Sequence, residues 1–209
     1  SSAASDVYKR QDLQQVWDGI WIVGEYKKME RVVPMTSDLG KQIHSTIRWV
    51  PDFPQDGIHF ADLTPVLVDP TIFNGIMHQM AEWAGDADII AGLDARGFLI
   101  AAGVAALNNV GVLALRKAGK LPPPVYHVDY GLEYGEAALE IPAEGLDIEG
   151  KHIFVVDDVL ATGGTSQAAF ELIDIAGGVV TGFATILELA DLGGRNNLPD
   201  LPIFSITTA

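Results

Sequence analysis

Short apolar runs alternate with helix-like segments over most of this chain, and that alternation limits the folds open to it. The runs are rich in Val, Ile and Leu, which is typical of strands buried on both faces of a sheet. The predicted strands are residues 88–94, 111–116, 152–157 and 179–189. The predicted helices are residues 71–85, residues 97–109 and a helix from about Thr165. This order predicts an α/β fold, in which helices flank both faces of a parallel sheet.

The first part of the chain lacks this alternation. Residues 1–34 have no clear helical or strand period, and we expect them to be a poorly ordered N-terminal extension to one domain at residues 35–209. That domain is predicted to open with a helix capped by Thr36 or Ser37. The predicted apolar face of this helix consists of Leu39, Ile43, Ile47 and Val50.

Composition excludes several classes of function. The chain has 28 acidic and 13 basic residues, and its net charge of -15 opposes binding to nucleic acid or to an anionic membrane. It has no cysteine, and its five histidines lack metal-ligand spacing. Its longest apolar stretch, residues 97–107, is about half of a membrane span. We therefore expect a cytoplasmic protein with neither nucleic acid nor membrane as a partner.

Charged residues fall at the ends of the predicted strands. Asp94, Arg116 and the pair Asp157 and Asp158 each occupy such a position. Ligands collect at the carboxyl ends of strands in open parallel sheets. The sequence therefore predicts one site that contains all four side chains.

The segment VVDDVLATGGT, residues 155–165, predicts a phosphate site. Gly163 and Gly164 allow backbone N–H groups to converge ahead of a helix N-terminus, which attracts anions. Asp157 and Asp158 can accept hydrogen bonds from the hydroxyls of a sugar. An ordinary strand-to-helix turn remains the alternative. Because GxGxxG and GxxxxGK[ST] are both absent, a sugar phosphate is favoured over a dinucleotide.

One long segment looks irregular. Residues 117–135 contain three consecutive prolines and several glycines. Irregular connections of this length in compact domains are usually lids or binding loops, and we predict one here.

Residues 155–165 resemble the phosphoribosyl-diphosphate (PRPP) signature of the type I phosphoribosyltransferases. Further blocks resemble, in order and spacing, those of the adenine phosphoribosyltransferases, and the likeness covers roughly residues 43–209. These blocks are residues 48–70, 90–98, 115–122, 130–141 and 186–195. The resemblance implies a type I phosphoribosyltransferase-like parallel sheet with a flexible catalytic loop and a small hood. It also implies a homodimer that converts adenine and PRPP to AMP and pyrophosphate, with Mg²⁺ held mainly by PRPP rather than by direct protein ligands.

The resemblance implies the following contacts with PRPP. Asp157 and Asp158 would hold the ribose hydroxyls, and backbone N–H groups at Ala95 and Arg96 would hold the pyrophosphate, in a loop where the family often has a non-proline cis peptide. The 5-phosphate would be bound by Ala161, Thr162, Gly163, Gly164 and Thr165. Further positive charge for the diphosphate would come from Arg116, Lys117 and Lys120, partly across the dimer interface. Ala118 stands where the family often has another basic residue.

The implied base site and catalytic groups lie in other blocks. Backbone groups of His59 would read the adenine edge, between Phe60 on one face and Leu189 on the other. Ala61 replaces an arginine that is frequent in the family. Glu133 would manage the proton of the base, and Arg96 would act on the leaving pyrophosphate. Glu133 as an ordinary exposed loop acid is the alternative.

Two other functions stay open at this level. One is a phosphoribosyltransferase for a different purine, such as hypoxanthine or guanine, because Ala61 departs from the family pattern in the base pocket. The other is a non-catalytic regulator that senses PRPP and carries an added DNA-binding module. Residues 1–34 are too short for a helix-turn-helix of that kind, and the domain is acidic.

Overall fold

The computed structural model describes residues 38–132 and 135–209. Its α-helices are α1 Leu39–Thr46, α2 Thr64–Val68, α3 Pro70–Ala84, α4 Arg96–Asn108 and α5 Gly164–Ile175. Its strands are β1 Arg48–Val50, β2 Phe60–Asp62, β3 Ile89–Leu93, β4 Gly111–Lys117, β5 Val125–Leu132, β6 Gly135–Pro142, β7 His152–Leu160, β8 Val179–Glu188 and β9 Ile203–Thr208. Two short 3-10 helices, Ala190–Leu192 and Gly194–Asn197, follow β8.

Seven strands form the main sheet in the order β5-β6-β4-β3-β7-β8-β9. The five strands from β4 to β9 in that order run parallel, while β5 and β6 are antiparallel. The predicted α/β architecture is therefore confirmed, with an antiparallel hairpin added at one edge. The site-bearing strands β3 and β7 lie at the centre, where both faces are covered.

The core is divided between the two faces of the sheet. Alternate side chains of β7 point to opposite faces, as the period of a strand requires. Phe154 and Val156 pack in the layer formed with α1, α3 and α4, whereas Ile153 and Val155 pack in the layer that includes α5. All four side chains are buried. Continuous apolar runs in the sequence thus correspond to strands covered on both sides.

The first described helix is shorter than predicted. It begins at Leu39 after the N-cap residue Asp38 and ends at Thr46, so its predicted extension to Val50 is wrong. Val50 instead belongs to β1, which pairs with β2. Pro51 follows Val50 and favours an extended backbone before it. The predicted caps Thr36 and Ser37, and the predicted boundary near Met35, lie outside the described residues.

β1 and β2 form a small separate sheet, which is the predicted hood. The pair Arg48↔Asp62 joins them in register, and Arg48 Nε lies 3.0 Å from Asp62 Oδ2. Phe60 is the first residue of β2, so this small sheet fixes its position.

Residues 125–132 and 135–142 are paired strands, so the prediction of an irregular segment over 117–135 was wrong for its second half. Residues 118–124 are irregular, as predicted. β5 and β6 pair antiparallel along their whole length, and Arg116↔Glu140 joins β6 to β4. Tyr126, Val128 and Tyr130 alternate along β5 and pack in the core layer of α5. The histidine and aspartate between them complete an alternation of apolar and polar residues, which is typical of a half-exposed strand. Glu133 and Tyr134 lie between the strands and outside the described residues.

Within residues 38–132 and 135–209, no helix has both the length and the apolar character that a membrane crossing requires.

Candidate active site

The predicted site residues meet along the ends of β3 and β7. Asp94 follows the last residue of β3, and α4 begins two residues later at Arg96. The acidic pair, however, lies within β7 and not beyond its end, because pairing with β8 continues to Leu160↔Glu188. This corrects the predicted end of the strand at residue 157. The pair remains next to the loop that connects β7 to α5.

That loop encloses a small cavity of about 70 Å³. Gly163 serves as the N-cap of α5 and has a φ of 87°, a conformation that residues with a Cβ rarely adopt. Among the described residues, the backbone N–H groups of 162–166 donate no hydrogen bond to protein. The cavity is lined by Asp157, Val159, Ala161, Thr162, Gly163, Gly164, Thr165 and Ser166. All five residues predicted to bind a phosphate therefore surround one cavity that is rich in unused donors.

The two adjacent carboxyl groups differ in their surroundings. Asp158 is buried, and its Oδ2 lies 2.6 Å from Arg96 Nε. This contact is an ion pair rather than a well-directed hydrogen bond, since the same oxygen accepts no hydrogen bond in the described protein. Asp157 Oδ1 accepts the backbone N–H of Asp158 at 2.9 Å. Burial and the neighbouring charge of Asp158 raise the pKa of Asp157 well above its usual range. The pair thus combines an Asp158 that contacts the Arg96 guanidinium with an Asp157 that holds its proton more tightly.

The loop between β3 and α4 has the geometry that the family resemblance implied. The Asp94–Ala95 peptide is cis. Ala95 is the N-cap of α4, and Arg96 is the first residue of the helix. Arg96 is thereby directed to the acidic pair of β7.

A second ion pair lies on the other side of this loop. Arg116 Nε lies 3.0 Å from Asp94 Oδ2, which also accepts the backbone N–H of Lys117 at 3.3 Å. Burial raises the pKa of Asp94, but these two hydrogen bonds and the nearby positive charges outweigh burial and leave the pKa below its usual value. The guanidinium of Arg116 also lies 5.6 Å from the centre of the Phe98 ring.

The structure does not bring every predicted basic residue to the cavity. Lys117 and Lys120 are exposed, and neither of them nor Arg116 lines the phosphate cavity or the base cleft described next. Asp94 links Arg116 to the loop of Ala95 instead. A role for these three residues in binding the diphosphate stays a prediction.

A larger cleft of about 400 Å³ lies beside the phosphate cavity. It includes all three residues predicted to contact the base, namely His59, Phe60 and Leu189. Phe53 packs edge-on against Phe60, with ring centres 5.2 Å apart, and so helps to hold that ring. The rest of the lining is Pro54, Ile58, Ala61, Arg96, Val159, Ala161, Thr162 and Leu192. Its volume and mostly apolar lining suit a flat heteroaromatic ring.

The two cavities share a wall. Val159, Ala161 and Thr162 line both of them. A ligand with a base in the cleft and a phosphate in the loop would therefore place its sugar near the acidic pair. This arrangement suits a nucleotide or its two precursors.

Several lining residues were missed by sequence reasoning. Val159 and Leu192 line the base cleft, and Ser166 lines the phosphate cavity. Val159 follows Asp157 by two residues in β7, so strand periodicity would have placed it on the same face. Nothing in the sequence marked Leu192, because its position depends on the turn after β8.

Comparison with known proteins identifies the family. A family model described as "Phosphoribosyl transferase domain" matches residues 66–206. An adenine phosphoribosyltransferase from Nocardia farcinica is 51% identical over 177 residues, which cover 85% of this chain and 93% of that protein.

Solved structures agree with this assignment. The adenine phosphoribosyltransferase of Rhodothermus marinus gives a TM-score of 0.77 at 34% identity and covers 83% of this chain and 100% of its own. That of Saccharomyces cerevisiae, complexed with D-2,5-dideoxy-2,5-imino-altritol 1,6-bisphosphate and adenine, gives 0.75 at 31% identity and covers 82% and 99%. The chain belongs to the adenine phosphoribosyltransferase family.

Proposed function

We propose that this protein transfers the phosphoribosyl group of PRPP to adenine, forming AMP and pyrophosphate in purine salvage. The observation that carries the proposal is the shared wall between an apolar cleft and a cradle of unused N–H groups, with two carboxyl groups beside it. Family membership supports the same reaction.

In the proposed reaction, the bond between the anomeric carbon and the diphosphate breaks while N9 of adenine bonds to that carbon. The leaving pyrophosphate takes the bonding electrons, and the base loses one proton. The sugar carries positive charge during this exchange, so a nearby carboxylate stabilises it. Asp158 is buried and ion-paired with Arg96, and its carboxyl group can take this role next to the ribose. The loop between β7 and α5, residues 161–163, is called the phosphate loop, and it holds the other end of the sugar in place.

Arg96 must exchange partners during this cycle. In the present structure it is paired with Asp158. We assign the diphosphate to Arg96 and the ribose hydroxyls to Asp158, so binding of PRPP replaces their direct contact with two new ones. The charge of Arg96 remains compensated, because the anionic diphosphate takes the place of Asp158 beside it.

The proton of the base is assigned to Glu133 on the family resemblance. Glu133 lies outside the described residues, so this role stays a prediction from the sequence. Substituting Gln would keep the shape of the side chain while removing its ability to take up a proton.

Mg²⁺ is proposed as the metal of the reaction, where it would neutralise charge on the diphosphate. The residues 38–132 and 135–209 contain no group of three or more His, Asp or Glu side chains that could hold a metal ion by themselves. The carboxyl oxygens of Asp157 and Asp158 are of the type that Mg²⁺ prefers, but two are too few for its octahedral shell. These residues fit an ion that is held mainly by oxygens of PRPP.

We further propose that the protein acts in the cytoplasm as a homodimer. Apolar residues are exposed along α4 and at the start of β4, where Leu99 is 56% exposed, Leu107 46% and Val112 47%. Exposed apolar surface of this kind marks interfaces, and two-fold dimers are the commonest soluble assembly. Because α4 starts at Arg96, a partner on this face would lie close to the site.

The proposal is tested by measuring nucleotide formation from PRPP with adenine, hypoxanthine and guanine, each with and without Mg²⁺. We expect AMP from adenine and little product from the 6-oxo purines, because the wrong base edge leaves a buried polar group without a partner. Preferential IMP or GMP formation would reassign the base. Tight binding of PRPP without turnover of any base would support the regulator instead.

A further inference from the structure

The turn after β8 packs against the phosphate loop and holds it in place. This turn is the 3-10 helix Gly194–Asn197, and its last residue bonds the loop directly, since Asn197 Nδ2 donates to the carbonyl oxygen of Thr162 at 2.9 Å. Sequence reasoning singled out neither Asn197 nor this contact. We propose that Asn197 is a positioning residue for phosphate binding, and this inference rests on the proposed function.

The hydrogen bond fixes the plane of one peptide in the cradle. The Thr162–Gly163 peptide is not one of the cis bonds of the described chain, so its C=O and N–H point in opposite directions. When Asn197 holds the carbonyl, the N–H of Gly163 points away from Asn197. Gly163 lines the phosphate cavity, and its N–H donates no hydrogen bond to described protein. Asn197 therefore orients one of the donors that we assign to the phosphate.

Close backbone packing fixes the same loop from a second direction. A Cβ atom on Gly194 would lie 2.1 Å from the carbonyl oxygen of Ala161, and a Cβ on Gly163 would lie 2.6 Å from the carbonyl oxygen of Gly194. Each segment thus occupies the space that a side chain of the other would need. The loop cannot move toward the turn, and Asn197 keeps it from moving away.

The turn itself is anchored to the end of β8. Arg195 Nε donates to Glu188 Oε1 at 2.9 Å, and Arg195 Nη1 donates to the Ile203 carbonyl at 2.7 Å. Glu188 is buried, and the hydrogen bond from Arg195 is the main cause of its lowered pKa. Ser205 also donates to Glu188, at 2.7 Å. Arg195 therefore fixes the turn to the end of β8. Asn197, as part of that turn, is held in place as well.

The test compares Asn197→Ala and Asn197→Asp with the control Asn196→Ala. Asn197→Asp keeps the shape of the side chain but removes the donor, while Asn196 is exposed and its side chain makes no hydrogen bond among the described residues. We expect both Asn197 variants to raise KM for PRPP about three- to tenfold, the effect of losing one ordinary hydrogen bond. The kcat at saturating substrates should change less than twofold, and Asn196→Ala should match the parent.

Binding of ribose 5-phosphate and of adenine, each measured by calorimetry, separates positioning from general stability. We expect the Kd of ribose 5-phosphate to rise with KM for PRPP while the Kd of adenine stays within twofold. A lowered Tm with unchanged binding of ribose 5-phosphate would overturn the inference, and so would equal losses for both ligands. A parent protein that forms no AMP would overturn the proposed function instead.

Discussion

At the scale of single residues, the phosphate loop depends on a backbone conformation that only glycine adopts easily. Gly163 combines a φ of 87° with the carbonyl oxygen of Gly194 in the space a Cβ would occupy. Gly145 has a φ of 79°, yet a Cβ there would meet nothing within 4 Å. The two glycines therefore differ in steric surroundings while sharing backbone geometry.

We expect Gly163→Ala to raise KM for PRPP at least tenfold, because the loop must shift to relieve the clash. Gly145→Ala is the matched control, and it should cost about 1 kcal/mol of stability through backbone strain alone. Its KM should stay within twofold of the parent. Steady-state kinetics with PRPP as the varied substrate, together with Tm, measure both effects. Identical kinetics for the two variants would show that the clash has no bearing on the cradle.

The acidic pair offers a second residue-scale prediction. We expect Asp157→Asn with Asp158→Asn to lower kcat/KM for PRPP about 100-fold or more, because two contacts between ribose hydroxyls and carboxyl groups weaken. Binding of adenine should change little. The single variant Asp157→Asn keeps the ion pair between Arg96 and Asp158. Its effect therefore reports a lost ribose contact without the loss of that ion pair.

The control for this prediction is Asp174→Asn with Asp200→Asn, which alters two exposed acids. It replaces the same number of carboxyl groups by amides without touching either cavity. Kinetics for PRPP that are equal in the two double variants would contradict the assignment of Asp157 and Asp158 to the ribose.

At the scale of elements, the hairpin of β5 and β6 is tied to the segment after β4 by a histidine. His127 Nδ1 lies 3.1 Å from Glu140 Oε1, and His127 Nε2 lies 3.0 Å from Asp129 Oδ1. Glu140 is buried, and its other oxygen accepts the backbone N–H of Gly119 at 2.9 Å. Gly119 lies between the predicted diphosphate residues Lys117 and Lys120. Protonation of His127 therefore affects how the hairpin holds this segment.

Hydrogen bonds raise the pKa of His127, and the bond to Asp129 contributes more than the bond to Glu140. A histidine with a raised pKa stabilises the fold fully below its unfolded pKa of about 6.5, and this contribution is lost as pH rises through the folded value. We expect the hairpin of the parent to lose protection from hydrogen exchange as pH rises from about 6 to 8.5, after correction for the intrinsic exchange rate. His127→Gln should flatten that pH dependence.

His152→Gln is the control for this experiment. His152 is an exposed strand histidine whose ring makes no hydrogen bond among the described residues. It should retain the pH dependence of the parent. Equal pH profiles for His127→Gln and the parent would show that His127 does not govern the hairpin.

At the scale of the whole molecule, the exposed apolar face of α4 predicts how copies associate. Leu99→Glu places a charge in the proposed interface, and because the side chain is 56% exposed the fold should tolerate it. We expect this variant to be monomeric by light scattering at micromolar concentration, with reduced turnover of PRPP. Ile175→Glu on α5 is the matched control, since Ile175 is 48% exposed on a different helix. A parent that is monomeric and fully active would contradict the proposed dimer.

Much of the architecture could be predicted because local patterns were unambiguous. Continuous apolar runs identified β3, β4 and β7, and helical periodicity placed α3 and α4 within one residue of their observed ends. The hairpin was missed because the prolines and glycines of residues 117–135 were interpreted as a loop, although apolar and polar residues alternate along β5. Pairing of β5 with β6, which follows it directly in the chain, and of β6 with the earlier strand β4 fixes that segment in the sheet.

The chain by itself determined the chemistry of the site. A Gly-Gly turn ahead of a helix can present N–H groups to an anion whatever surrounds it, and Asp157 and Asp158 can accept hydrogen bonds in any fold. His59, Phe60 and Leu189 were predicted as base contacts from blocks whose order resembles a family, and all three line one cleft. Only the tertiary structure decided which of these groups meet. It paired Arg96 with Asp158, kept Arg116 beside Asp94, and placed Asn197 behind Thr162. These contacts join residues 22 to 62 positions apart, and their geometry follows from sheet order and close backbone packing rather than from any local pattern.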